Sequence, residues 1–448
     1  MTNASPSSST PGDGGTVRVG LLGCGIVGTQ LVGLVQNRAD DLAGASGLRL
    51  ELARIAVRST ARDRGLDIAP ELLTSDAESV VNDPDVDVVV EVIGGIEPAR
   101  SLVLAALKNG KPVVTANKEL LANHGAELYE AAATAGVDLL FEAAAAGAIP
   151  IVRPLRESLL GEDVTRVMGI VNGTTNYILT RMSEEGTSYT DALSEAQHLG
   201  YAERDPTADV EGYDAGAKAA IMATIAFGAN VVAGDVYHDG ISSITQGDIE
   251  FAAQFDYTIK LLAIAERFDA DADGDGGTAD EIGVRVYPAM VPNDHPLASV
   301  RGSFNAVFVE GRAAGELMFY GRGAGGLPTA SAVLGDLVDA ACNLRRGTFR
   351  PVPFGPRARI RSIDQLESAY YVGVTVTDSP GVLSLVAGVF GEHQVSIRAM
   401  QQQGSGDQAQ LAFITHVATE SDVQATIAGL RHLDEVNDIH SVLRVIGS

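Results

Sequence analysis

The chain has 448 residues, 46% of them hydrophobic and 20% charged, with two cysteines, no tryptophan and a formal net charge of −26. A chain of this length buries a large core and divides into two to four domains, and Cys24 and Cys342 rule out a disulfide framework and any cysteine-rich zinc or iron–sulfur site. The acidity argues against nucleic-acid and membrane partners and fits either a salty cytoplasm or ordinary solubility charge. Residues 1–15 are small, polar and rich in Ser, Pro and Gly, without the basic start or apolar run of a signal peptide; they read as a disordered tail. The longest apolar segment, 215–233, carries Lys218 and falls short of the ~20 continuous apolar residues of a membrane span, so the cytoplasm is the expected address. From Val17, VRVGLLGCGIVG is a strand running into a glycine turn, and 29–43 has helical spacing. Strands 48–57, 86–95, 112–115 and 137–142 alternate with helices 98–109 and 120–135, which predicts a parallel, doubly wound sheet.

Past Pro150 the pattern changes. A strand is expected over 164–171, helices over 174–183, 189–198, 214–232 and 249–266, strands over 284–291 and 306–310, and a helix over 330–342. Residues 269–280 form an acidic insert read as a solvated hairpin loop, since the spacing lacks the bidentate Glu and flanking helices of a calcium loop. After a proline- and arginine-containing linker, the last segment runs strand 370–378, helix 379–393, strands 395–403 and 409–417, helix 421–433 and strand 439–446. This βαββαβ order is ferredoxin-like. The expected divisions are a doubly wound domain over 16–150, an α+β domain over 151–320, a helix over 321–344 returning to the first domain, a linker over 345–368, and a ferredoxin-like domain over 369–448.

Gly23, Gly25 and Gly28 fit G-x-G-x-x-G between a strand and a helix. The first glycine makes the turn, the second admits a pyrophosphate, and the third lets helix and strand pack. With Ile26 and Val27 they place a phosphate at a helix N-terminus. The next strand ends in Val57-Arg58-Ser59 rather than in the acid of a NAD-specific site. Arg58 suits a 2′-phosphate, favouring NADP, but an exposed loop arginine with NAD as cofactor remains open. Asp214 and Lys218 share a helix face, and Lys218 is the only charge between Ala215 and Ala233. It either snorkels out beside Asp214 or faces a cleft. Glu203, Asp205 and Asp209 crowd the preceding loop, which suits an amino-acid substrate whose ammonium needs carboxylates.

The stretch from Ala196 to Lys218 meets every position of A-x3-G-Y-x3-DP-x2-D-x2-G-x-D-x3-K and resembles the signature of homoserine dehydrogenase. GCGIVG, VTANKELL, FEAAAAGAIPIVRPL, GIVNGTTNYIL and FYGRGAGGLPTASAVLGDL agree, and the C-terminal segment resembles an ACT domain. The resemblance runs from Val17 to the C-terminus. It implies a Rossmann-type first domain and reversible NAD(P)H-dependent reduction of L-aspartate 4-semialdehyde to L-homoserine, in threonine, methionine and isoleucine biosynthesis. Carried over by position, Lys218 is the proton donor and Lys118 the second lysine beside nicotinamide and substrate. Glu203 and Asp214 bind substrate, and Gly200 and Gly323 contact the cofactor. Glu142, Ala145, Gly147 and Ile149 resemble a monovalent-cation site, with Na+ the expected ion. Threonine is the expected effector, near Asp378 and Gly381, and a homodimer or homotetramer is expected. Arg322 departs from the family, where many relatives have proline. Two alternatives compete. An aspartate-semialdehyde dehydrogenase needs a thiolate, for which Cys342 lacks context. A regulator that has lost catalysis is disfavoured by the intact Glu203, Asp214 and Lys218.

Overall fold

The computed structural model describes residues 15–269 and 280–447. The expected tail lies outside the described residues except for Gly15, and the acidic insert except for Asp269 and Asp280. The chain forms two compact units, one running through Ala144 and joined by Gly325–Val352, the other made of Ala145–Ala324 and the rest.

The first unit holds a six-stranded parallel sheet. Strands Thr16–Leu22, Arg49–Ala56, Leu73–Thr74, Val88–Glu91, Val113–Thr115 and Leu139–Leu140 lie in the order 3-2-1-4-5-6. That is the Rossmann order, with its switch point between the first and fourth strands. All four residues of Val88–Glu91 are buried, as a central parallel strand covered on both faces requires. Helix Gly326–Arg346 returns from late in the chain and packs Ala330, Val333, Leu334 and Leu337 into the same core as Leu31, Val32 and Val35 of helix Ile26–Asn37.

The second unit is built on a mixed sheet. Its strands run Gly315–Arg322, Phe304–Gly311, Val164–Ile170, Tyr257–Phe268 and Glu281–Pro292. The sheet then continues without a break into Val436–Val445, Glu367–Thr377, Gln408–Thr415 and Ile397–Ser405. The last four strands, with helices Val382–Glu392 and Glu420–Leu430, form the ferredoxin-like C-terminal domain. The join is a short parallel pairing, Ala289 with Arg444 and Met290 with Val445. There the buried Arg444 guanidinium bonds Glu420 Oε2 through Nε (2.9 Å) and Nη2 (2.7 Å) and lies 4.5 Å from the Tyr287 ring centroid. The Tyr370 hydroxyl donates to the same Glu420 oxygen at 2.6 Å.

One expectation fails. Residues 249–266 are not one helix: helix Gln246–Gln254 ends, Asp256 takes a positive φ of 61°, and Tyr257–Phe268 is a strand. That strand lies between Val164–Ile170 and Glu281–Pro292. Its seven central residues are all buried, so it reads as a continuous apolar run that periodicity alone does not separate from helix. The edge strand Gly315–Arg322 was not foreseen.

Strand Tyr257–Phe268 also carries Lys260 inward. Its Nζ donates to Val300 O (2.5 Å) and Asn176 Oδ1 (3.1 Å), and burial pushes its pKa down to about 8 from an ordinary 10.5. Between those values the unfolded chain holds a proton that the folded chain does not, so this position adds stability as pH rises. Lys260→Met should therefore lose ground to the parent as pH rises from about 8 to 10.5. Urea midpoints of the pair across that range check this, and a pH-independent difference contradicts it.

Candidate active site

The glycine turn follows strand Thr16–Leu22, and Gly23 N–H donates to Ala56 O at 3.0 Å. Gly23 has a φ of 102°, and a Cβ on Gly28 would lie 2.2 Å from Gly23 O. A Cβ on Gly25 would meet nothing within 4 Å, so the second glycine faces open space where a pyrophosphate needs it. Helix Ile26–Asn37 begins there with no side-chain cap, leaving its first-turn N–H groups for an anion. Ile26 is 80% exposed, and Val27 packs against the core.

Arg58 is exposed and makes no side-chain hydrogen bond or ion pair with any described residue. Sequence reasoning missed Arg64. Its Nε donates to Cys24 O (3.3 Å) and its Nη2 to Ser59 O (2.8 Å), tying the glycine turn to the turn that carries Arg58. It also missed Glu91, a fully buried carboxylate that accepts from Ile93 N (2.8 Å), Gly94 N (3.1 Å) and Thr115 Oγ1 (2.5 Å). Asn117 extends this network by donating to Gly95 O at 2.6 Å and capping helix Lys118–Ala135 through Leu120 N. Lys118 therefore sits exposed at the first helical position.

The second unit gathers the other reactive groups. Lys218 lies on the Ala-rich helix Tyr213–Phe227 and is only 8% exposed. Its Nζ donates to Asp214 Oδ2 (2.7 Å) and to Val171 O (2.6 Å), just past strand Val164–Ile170. Asn172 Nδ2 donates to the same Asp214 oxygen (2.9 Å) and to Asp209 Oδ1 (2.7 Å). The Asn172 side-chain oxygen also caps helix Gly173–Glu185 through Thr175 N. One asparagine thus fixes a strand end, a helix start and the carboxylate that partners the lysine. Thr174 Oγ1 reaches across to Tyr201 O at 2.8 Å, tying that helix to the signature loop.

Glu203 stands apart: it is exposed, and its carboxylate makes no bond to any described residue. Gly200 closes the turn after helix Tyr189–His198, donating to Gln197 O at 3.1 Å. Gly323 and Gly147 interlock, since a Cβ on Gly147 would lie 2.2 Å from Gly323 O. The Asn305 amide fills the space beside Gly323, where a Cβ would fall 1.8 Å from Nδ2. Asn305 is 1% exposed, and neither of its amide atoms finds a partner among the described residues. Arg322 is exposed and lies 5.2 Å from the Phe304 ring centroid.

Glu142 is buried, and its N–H donates to Asp336 Oδ2 at 2.7 Å. Ala145 and Ile149 are buried as well. The Glu142 carboxylate is an oxygen donor of the kind hard cations take. Among the described residues no three His, Cys, Asp or Glu side chains gather as a metal cluster, and no helix is long and apolar enough to cross a membrane. Cys342 packs against the apolar core of the first unit. Asp378 lies over Gly404, and Gly381 caps helix Val382–Glu392.

Residues 150–338 match the family model for homoserine dehydrogenase, 23–142 that for its NAD-binding domain, and 370–431 that for the ACT domain. A homoserine dehydrogenase of Corynebacterium glutamicum is 51% identical over 454 residues, covering 99% of each chain. That of Mycobacterium tuberculosis is 50% identical over 451 residues, covering 98% of this chain and 99% of its own. The crystal structure of a homoserine dehydrogenase from Thiobacillus denitrificans matches with a TM-score of 0.88 at 39% identity, covering 96% of this chain and 98% of that one. A hyperthermophilic archaeal homoserine dehydrogenase mutant in complex with NADPH matches with a TM-score of 0.58 at 28% identity, covering 72% of this chain and 97% of its own.

The glycine turn yields a direct expectation. Gly28→Ala drives a methyl into Gly23 O and should weaken NADPH binding at least tenfold, about 1.4 kcal/mol. Fluorescence titration with far-UV circular dichroism as the fold control checks it. Binding within twofold of the parent contradicts the close-packing argument.

Proposed function

The chain belongs to the homoserine dehydrogenase family of NAD(P)-dependent oxidoreductases, and on that premise we propose a division of labour for the reversible reduction of L-aspartate 4-semialdehyde to L-homoserine. The observation that carries it is the state of Lys218. An ammonium has three N–H donors. Two are spent on Asp214 and Val171 O, and the third has no partner among the described residues. That proton is available to a substrate oxygen.

The nicotinamide, when bound, supplies a hydride to the aldehyde carbon. The oxygen then carries developing negative charge, which Lys218 neutralises by giving up a proton. Lys118, exposed at a helix start, adds a second cation for that oxygen. Asp214 orients Lys218 and, with the uncommitted Glu203, receives the substrate ammonium. In the oxidative direction Lys218 takes the proton back from the substrate hydroxyl.

Several finer readings belong to the same proposal. NADP is favoured over NAD because strand Arg49–Ala56 leads into Val57, Arg58 and Ser59 with no acid, and Arg64 props that turn. The relative in complex with NADPH supports this choice. Gly200 and Gly323 offer backbone contacts to the cofactor. Glu142, Ala145, Gly147 and Ile149 would hold a monovalent cation, Na+ by preference. The ACT domain senses an amino acid, threonine as the pathway's end product, with Asp378 and Gly381 at the effector loop. The enzyme works in the cytoplasm as a homodimer or homotetramer, on the route to threonine, methionine and isoleucine.

Lys218→Ala tests the proton-donor role. It should lose at least 99% of aspartate-semialdehyde-dependent NADPH oxidation while binding NADPH as tightly as the parent. Activity within a few-fold of the parent contradicts the role.

A further inference from the structure

Lys260 is a buried cation that the proposed reaction does not use. It is 2% exposed, and both groups it bonds, Val300 O and Asn176 Oδ1, are neutral. No carboxylate among the described residues bonds its Nζ, and its third N–H has no partner among them either. Lys218, by contrast, has a counter-charge in Asp214. Burying an ammonium without one is costly, and buried charges in native proteins are ordinarily paired. Burial brings the Lys260 pKa down to about 8, so at pH 7 the group still carries its proton.

Lys260 lines a cavity of about 180 Å³. Its walls are the first four residues of strand Tyr257–Phe268, the C-terminal part of helix Gly173–Glu185 and helix Gln246–Gln254, with Asn293 and Arg301 from the loops that face them. The volume falls below the ~300–1,000 Å³ of drug-sized sites, so it suits an ion or a molecule of a few atoms.

The lining selects the sign of the occupant. The hydroxyls of Thr180, Ser183 and Thr258 are already committed, donating to Asn176 O, Leu179 O and Asn293 Oδ1 at 2.7 Å each. What remains is rich in donors: the spare N–H of Lys260, the Asn293 amide nitrogen, which bonds no described residue, and Arg301. Arg301 meets Glu184 through Nε at 2.9 Å and has the rest of its five N–H donors unspent among the described residues. Glu184 is the one acid in the lining, against two cations. The Arg301 and Glu184 side chains are 73% and 45% exposed. A pair so open to water is weakly held, which leaves the guanidinium able to turn toward an anion.

We propose that this cavity binds a small inorganic oxyanion of the sulfate or phosphate type, held by Lys260 Nζ, the Asn293 amide nitrogen and the Arg301 guanidinium. The anion supplies the counter-charge that Lys260 lacks. A guanidinium fork matches two oxygens of an oxyanion, whereas a halide offers it a single point. None of the lining residues belongs to the glycine turn or to the Lys218 cluster, so the site stands whether or not Lys218 is the proton donor. A bound anion joins the loop that carries Arg301 and the residue that follows strand Glu281–Pro292 to strand Tyr257–Phe268.

Isothermal titration calorimetry at pH 7 with sodium sulfate and with sodium phosphate tests the proposal. The full chain is used saturated with NADPH, so that the glycine turn is filled, and sodium chloride at matched ionic strength is the control. Sulfate or phosphate should bind the parent where chloride does not. Lys260→Met and Arg301→Ala should each raise the Kd at least tenfold. The Arg301 side chain is largely exposed, so its variant carries the test if Lys260→Met proves unstable. Absence of binding by both oxyanions, equal binding of chloride, or a Kd within twofold of the parent in either variant overturns the site.

Discussion

A lysine ammonium withdrawn from water and held between a carboxylate and a backbone carbonyl is the constraint on which the second unit is organised. Burying such a charge costs several kcal/mol unless partners replace the lost water. Here Asp214 supplies the counter-charge from one helical turn earlier, and Val171 supplies a carbonyl where its strand ends. Asp214 is in turn held by Asn172, which caps the following helix and also bonds Asp209. The strand end, the following helix and the lysine helix are therefore tied through one polar cluster. The members satisfy one another's polar groups, which makes the cluster rigid.

Much of this was legible in the sequence, for identifiable reasons. The glycine turn is a local pattern, since strand, turn and helix follow one another within twelve residues from Val17 to Gly28. The four-residue spacing of Asp214 and Lys218 is equally local and places both on one helix face. What remained hidden depends on distant partners. Nothing near Arg64 announces that it will bridge Cys24 O and Ser59 O, and nothing near Glu91 announces Thr115. The strand at Tyr257–Phe268 was misread because both its faces are covered, which erases the alternation that separates strand from helix. Glu203 is the reverse case: the sequence groups it with Asp209 and Asp214, whereas the fold leaves it exposed and uncommitted.

The C-terminal domain is not an appendage on a tether. Its last strand pairs with Glu281–Pro292, so its sheet and the catalytic sheet are continuous. The join is secured by a buried ion pair, Arg444 with Glu420, packed on tyrosine rings from both sides of the seam. Strand Glu281–Pro292 also touches the lysine helix region: Asp239 N donates to Val286 O, and Gly212, which caps helix Tyr213–Phe227, packs against Val286. A displacement of the C-terminal strands thus meets packed groups, not slack chain, on the way to Lys218. On the proposed reading, that contiguity is the physical route by which an amino acid bound at the C-terminal domain would bias chemistry at Lys218.

The most direct test of the central claim is a single-turnover measurement of NADPH oxidation in the presence of L-aspartate 4-semialdehyde, comparing the parent with Asp214→Asn. The substitution keeps the shape of the side chain while removing the charge opposite Lys218. The account predicts a chemical step slowed at least a hundredfold with the NADPH dissociation constant unchanged. A step within a few-fold of the parent would contradict it.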